Sequence, residues 1–325
     1  MNYYLYKLKF DSAVHFGSSS SAQSLSSSDD HFCADTLFSA LCHTALSLRG
    51  KEGLEELCTA ARDGKLYLSD SMPWMDEVFY LPKPIVSAKG ERDVPAEKRK
   101  AVKKLKWIPA DDFAAFTESV RGGDTYDAEA AQAEFGISTS VAKVKIIQGE
   151  DSLPYQVGLY HFKDNAGLWF LAGCETEQLA DYLQILVEGL ALSGIGGKTS
   201  SGYGKFHIDD VPVLLNEPFD EVTEWLYNAL ENSAADRQLL LSASLPSDEE
   251  LAELLPESEY MLVRRAGFIQ SDSYAEETRR KAPQLFLAAG SVLPGRFNAK
   301  LYEVGEAGKH PVYRLSAPLF LGVEL

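Results

Sequence analysis

Residues 189–206 read GLALSGIGGKTSSGYGKF, and this stretch limits the possible fold more than any other. Upstream of it, Glu177 to Leu192 sets Leu179, Leu183, Leu186, Val187 and Leu190 on one face at helical spacing. Five glycines then fall within eleven positions: Gly194, Gly196, Gly197, Gly202 and Gly204. Glycine costs a helix about 1 kcal/mol per residue relative to alanine, so the helix stops here. Tyr203 to Ile208 then reads as a strand. The chain is forced through a helix–loop–strand return whose loop has little side-chain bulk.

Between the glycines stand Ile195, Lys198, Thr199, Ser200, Ser201, Tyr203 and Lys205. A backbone without Cβ atoms lets a bulky ligand approach closely. Successive free N–H groups form an anion-binding concavity, with hydroxyls and ammonium groups as further donors. Gly197-Lys198-Thr199 matches the end of a nucleotide P-loop, GxxxxGK[ST]. The first glycine of that motif would fall on Leu192, however, and the loop follows a helix instead of a strand. A dinucleotide GxGxxG also fails, because its last position is Thr199. Two readings remain: a turn that merely permits a tight return, and an RNA phosphate clamp, which uses every feature.

The rest of the chain frames this loop. Tyr3 to Phe10 alternates as a strand. His15-Phe16-Gly17 follows, and then a segment, Ser18 to Ser28, with eight serines in eleven residues. Asp35-Thr36 read as cap residues ahead of the helical pattern LFSALCHTALSL. Lys65 to Ser69, Tyr155 to Phe162 and Leu168 to Gly173 read as strands. Lys83 to Glu150 is highly charged without strong periodicity and reads as an insertion. Without it the order is β-α-β-β-α-β, the ferredoxin-like arrangement of an antiparallel sheet backed by two helices. The predicted fold class is α+β, with two tandem ferredoxin-like (RRM-like) domains. Residues 1–209 form the first, carrying the insertion at about 83–150 and the glycine-rich loop at 194–204. Residues 210–325 form a degenerate second copy, with strands at Gln238 to Ser244, Tyr260 to Arg264, Gln284 to Ala288, Val312 to Leu315 and Leu319 to Val323.

The formal charge of −17 opposes a nucleic-acid role at long range. The charge is segregated, however. Asp209 to Glu259 contains fourteen acids and one base, Arg237, whereas Lys83 to Lys106 contains nine bases and three acids. One surface can grip phosphate while another faces solvent or a basic protein. The four cysteines (Cys33, Cys42, Cys58, Cys174) lack any short paired spacing, and the six histidines form no HxxxH or HExxH pattern. No metal or cofactor is expected. The N-terminus lacks the apolar block of a signal peptide, and no apolar run is long enough to span a bilayer. A soluble, cytoplasmic protein with no membrane contact is expected.

Five blocks carry a resemblance: HFG at 15–17, DTLFSAL at 35–41, LSGIGGKTSSGYGKF at 192–206, FLAAGSVL at 286–293 and HPVYRLSAPLFLGVEL at 310–325. They resemble the RAMP superfamily of CRISPR proteins and, within it, the family of the fourth Csm subunit. The blocks span almost the whole chain. The resemblance implies a non-catalytic subunit of a type III-A effector that holds the repeat-derived 5′ handle of the crRNA. It implies docking on the large polymerase-type subunit and the first backbone RAMP subunit, with target RNA met only indirectly. Carried over, the RNA clamp falls on Gly194 through Lys205, with His15 and the serine segment beside it. One departure is STSVAKVK at 138–145, where the family usually has an Arg-containing hairpin; Lys143 and Lys145 are the candidate substitutes.

The remaining candidates divide by chemistry. His15 can contact RNA, pack as a hydrogen-bonding group, or serve as the general acid or base of a metal-independent endoribonuclease acting on CRISPR repeat RNA. The last is the alternative function. Arg264, Arg265 and Arg314 are candidate guanidinium contacts for phosphate or a stacked base. Tyr203, Phe206 and Phe16 are candidate stacking groups, and Asp29-Asp30 reads as a solvated turn. The basic run Lys98 to Lys106 fits either an RNA arm or a face for an acidic partner.

Overall fold

The computed structural model describes residues 1–17, 25–87, 95–145 and 152–325, so most of the serine segment and parts of the insertion lie outside the described residues. Strand β1 (Asn2–Phe10) is apolar on both faces: Tyr6 and Leu8 enter one core, Tyr3 and Leu5 another. A strand of this kind must be covered on both sides. Helix α1 (Ala34–Arg62) bends sharply at Gly50, which takes φ 64. Strands β2 (Leu66–Leu68), β3 (Met72–Met75) and β4 (Val78–Pro82) follow. The expected insertion holds α2 (Ala96–Lys104), β5 (Trp107–Pro109), α3 (Phe113–Arg121) and β6 (Gly136–Lys145). Its order comes from apolar residues such as Ile108, Phe113 and Phe116, which are buried in the second core. Then come β7 (Leu153–Phe162), β8 (Ala166–Cys174), α4 (Glu177–Ser193), β9 (Phe206–Ile208) and β10 (Val213–Leu214).

The neighbours run β9-β1-β8-β2, every pair antiparallel, which is the strand order of a ferredoxin-like sheet. Strands β3, β4 and β5 lengthen it beyond β8, and β10 pairs with β1, so residues past 209 return to this first sheet. Helices α1 and α4 cover one face through Leu37, Phe38, Leu41, Leu183, Leu186 and Leu190. Every residue of β8 is buried because its two faces meet different cores.

The second face is covered by the other half of the chain. Helix α5 (Glu221–Glu231) and strand β11 (Arg237–Leu240) lead to α6 (Asp248–Leu254), β12 (Leu262–Arg265), β13 (Gln284–Leu287) and β14 (Val292–Leu293). Strands β15 (Lys300–Glu303), β16 (Tyr313–Ser316) and β17 (Phe320–Val323) complete the chain. The expected strands are present but divided among three antiparallel sheets: β14-β11-β17, β12-β13 and β15-β16. Leu226, Leu230, Leu239 and Leu321 share a core with Leu5, Trp169 and Leu171 of the first sheet. The α+β class with antiparallel sheets holds throughout. Among the described residues no helix is long and apolar enough to cross a membrane.

Candidate nucleic-acid interface

Helix α4 is capped at its start by Thr176, whose hydroxyl accepts from the Leu179 N–H, and ends at Gly194 with φ 87. The strand expected from Tyr203 starts only at Phe206, because the loop folds back on itself first. Ile195 donates its N–H to Gly204 O at 2.9 Å, Gly197 to His15 O at 2.8 Å and Gly204 to Ala13 O at 2.9 Å. The glycines have separate reasons. A Cβ on Gly204 would lie 2.1 Å from Ile195 O, and one on Gly196 would lie 2.8 Å from His15 O. Gly202, at φ 85, faces open space. Gly194 and Gly204 are buried, and so is the Ile195 side chain at 1% exposure. These three belong to the loop's own packing and shape the loop from within.

The open part of the loop is its tip. Lys198 adopts a left-handed φ of 63 and leads into a single 3-10 turn, Thr199–Ser201. Among the described residues the backbone N–H groups of Lys198, Thr199 and Ser200 meet no protein acceptor, while those of Ser201 and Gly202 close the turn onto Lys198 O and Thr199 O at 2.8 Å. Three consecutive free donors beside an ammonium and three hydroxyls are what an oxyanion needs.

The β6–β7 hairpin stands next to this tip. Lys143 Nζ lies 4.8 Å from the Tyr203 ring centroid, and Lys198 Nζ lies 5.2 Å from that of Tyr155. Two cations and two partly exposed aromatic rings thus alternate across the gap between hairpin and loop. The type of Lys143 is legible in the sequence. Tyr155 is not, because only the register Lys143↔Tyr155 places it there. Lys205 is exposed beside the tip, and its N–H is held by Ser12 Oγ at 3.0 Å.

His15 is buried at 5% exposure. Its Nδ1 donates to Gly158 O at 2.7 Å, since a carbonyl can only accept, and Gly197 covers the ring, where an added Cβ would sit 2.6 Å from Cδ2. The histidine ties β7 to the glycine loop and presents no open face to a substrate. Gly158 is the missed partner: its Cα is closely overlain by Ser26 and Ser27, so no side chain fits. A glycine inside a strand is the signal for such an approach. Phe16 and Phe206 are core residues at 5% and 4% exposure, which removes them as stacking groups. Asp29 bridges to Phe16, and Asp30 pairs with His31 and Lys106, so the pair forms a structured turn. Burial opposes ionisation of Asp30, but the His31 and Lys106 partners outweigh it and hold its carboxyl well below the usual range.

The arginines divide. Arg265 clasps both carboxylate oxygens of Asp35 and donates to Thr36 Oγ1 at 3.0 Å. Arg314, 2% exposed, lies 3.5 Å from Asp35 and donates to Ala282 O and Gln284 Oε1. Neither guanidinium is free for RNA. Asp35 is correspondingly not the cap of α1: that position is Cys33, and the first helical N–H, Ala34, is taken at 2.8 Å by Asp70. Asp70 also accepts from Ala243 N–H at 3.0 Å, so one buried carboxylate joins the two halves. Arg264 is exposed on β12, outside the loop's hydrogen-bond network.

A βαββαβ sheet with a glycine-rich return into its last strand defines the RAMP class, and the RAMP superfamily model matches residues 7–207. The CRISPR Csm4 C-terminal domain model matches residues 233–323. The chain is 34% identical over 327 residues to the CRISPR system Cms protein Csm4 of Mycobacterium tuberculosis (strain CDC 1551 / Oshkosh), covering 99% of this chain and 98% of the relative. It is 30% identical over 333 residues to Csm4 of Streptococcus thermophilus, covering 100% of both. The chain belongs to the Csm4 family. In fold it is similar to a chain of the Csm3–Csm4 subcomplex of a type III-A CRISPR-Cas interference complex, with TM-score 0.66, 16% identity and full coverage of both chains. It is also similar to a chain of a Csm1–Csm4 cassette in complex with pppApA, with TM-score 0.59, 18% identity and coverage of 100% and 99%.

Proposed function

We propose that this chain is the non-catalytic subunit of a type III-A CRISPR effector that holds the 5′ handle of the crRNA and anchors the large subunit and the first backbone RAMP subunit. The observation that carries the reading is the loop tip, where three free N–H groups stand beside Lys198 and Tyr203, which meet Tyr155 and Lys143 of the β6–β7 hairpin across a short gap. Phosphates seat on the donors and fix register, while splayed bases rest on the rings. The two partner subunits are read from the assemblies in which fold neighbours were solved, Csm3–Csm4 and Csm1–Csm4. The endoribonuclease alternative is disfavoured by the ring of His15, which among the described residues is buried, bonded to Gly158 O and covered by Gly197.

The test is fluorescence anisotropy of repeat-derived handle RNA against salt, comparing the unaltered protein with Lys198→Ala/Lys205→Ala. Each phosphate left without its lysine flattens the log–log slope by about 0.7 for a single strand, so a flattening of roughly 1.4 is expected. An unaltered slope would show that the loop is not the clamp. Cleavage products formed without metal, and abolished in His15→Ala, would instead establish the nuclease.

A further inference from the structure

We infer that α2 is a second phosphate-binding surface for RNA, separate from the glycine loop. The helix reads AEKRKAVKK, five bases in nine residues, within a chain whose net charge is −17. Its inner side is anchored: Ala101 and Val102 pack against the second core, and Leu105 just beyond is buried. Lys83 Nζ clasps the end of the helix by donating to Val102 O at 2.8 Å. Arg99, Lys100, Lys103 and Lys104 fall at i, i+1, i+4 and i+5, so they share the outward side, and all four are exposed.

The chain carries 48 carboxylate residues. Yet among the described residues none forms an ion pair with these four or with Lys98, whereas Lys106, two residues past the helix, is paired with Asp30. Arg99 with Lys103 and Lys100 with Lys104 are like charges one turn apart, which repel. Glu97 in the first turn and the helix dipole at the last turn offset only part of that repulsion, and an anionic ligand would offset more. Glutamine, lysine and arginine are all good helix formers, so helix propensity alone does not demand charge at these positions.

Connectivity points to RNA as the anion. Asp30, the partner of Lys106, adjoins Asp29, which bridges to Phe16; His15 beside it accepts the N–H of Gly197. Lys106, just past α2, and the glycine loop are thus linked by one short run of contacts, which favours a single polyanion as the ligand of both. The inference rests on the RNA-holding reading of the chain; the link to the loop favours RNA as the occupant, while the test of α2 itself does not require the loop to be the clamp.

The experiment uses the full chain and two fluorescent single-stranded RNAs, the handle alone and the handle extended by spacer sequence. Proteins compared are unaltered, R99Q/K100Q/K103Q/K104Q, the loop variant K198A/K205A, and K51Q/K163Q/R279Q/K309Q as a control that removes the same four charges at other exposed sites. The extended RNA should show a salt slope steeper than the handle by about 1.4, equivalent to two further phosphates, and the α2 variant should abolish that excess without affecting the handle alone. An excess that survives in the α2 variant, or that vanishes equally in the control, overturns the inference. So does normal binding of both RNAs combined with loss of a co-purifying protein subunit, which would make an acidic protein the occupant. A loop variant that binds normally while the α2 variant loses the excess would sink the loop clamp alone. Far-UV circular dichroism verifies that each variant folds.

Discussion

Replacing Asp35 with alanine should separate the two halves of the molecule energetically. The carboxylate and the Arg265 guanidinium are 10% and 11% exposed, and the Arg314 side chain is 1% exposed. Taking the carboxylate away strands two cations against α1. Removing one partner of a buried ion pair costs about 3–5 kcal/mol, because the remaining charge is left uncompensated. Some neutral acceptors survive: Thr36 Oγ1 for Arg265, and Ala282 O and Gln284 Oε1, both at 2.9 Å, for Arg314. The expected loss is therefore near the lower end, about 3 kcal/mol, on the order of a hundredfold in the folding equilibrium. Urea unfolding followed by tryptophan fluorescence measures it, with Asp35→Asn alongside as a variant that keeps an oxygen but not the charge and should fall between. Burial works to raise the Asp35 pKa, but Arg265 and then Arg314 outweigh it and hold the carboxyl below its ordinary value. A depressed folded pKa gives stability that is complete above the unfolded carboxylate value, about 3.9, and lost as pH falls through the folded one. The gap between the unaltered protein and Asp35→Ala should thus stay constant from neutral pH down to about 5 and close only in stronger acid. A loss below about 1 kcal/mol at pH 7 is what a solvent-screened surface pair gives, and would refute the burial reasoning.

Two further substitutions probe the loop. Gly202→Ala meets no atom and should cost only its left-handed backbone, about 1–2 kcal/mol, whereas Gly204→Ala also drives a Cβ to within 2.1 Å of Ile195 O and should cost distinctly more by urea midpoint. Equal costs would mean that the loop does not fold back on itself. His15→Ala should lose about 1–3 kcal/mol by leaving Gly158 O unpaired in a buried place, and His15→Asn, which can supply an N–H there, should recover part of it. Handle-RNA affinity should follow the same order, and a variant pair with equal affinities would detach His15 from the loop.

The local grammar of the chain carried the fold. Period-two and helical patterns place β1, β7, β8, α4 and the start of α1 within a few residues of where they lie, because each signal sits inside one short window; the pattern read for α1 ends before the bend at Gly50. The ordered part of the insertion escaped because its apolar residues are sparse along the chain and meet only when folded. The site divides along the same line. Glycines and lysines of the loop tip are legible as a type, but the fate of each arginine is decided by a partner far away: Arg265 and Asp35 are 230 residues apart. No window contains both. The charge of −17, which at first opposes RNA binding, takes on a different meaning once these pairings are known. In a chain rich in carboxylates, a cation is available to a ligand only if the fold fails to bring it a carboxylate. Asp35 claims Arg265 and Arg314, and Asp30 claims Lys106. Among the described residues, Lys143, Lys198 and the outward lysines of α2 are left unclaimed, the first two beside half-buried rings and the rest on one helix face. The surface able to hold phosphate is the remainder after internal pairing, so it can be basic and well placed in a molecule whose total charge is strongly negative.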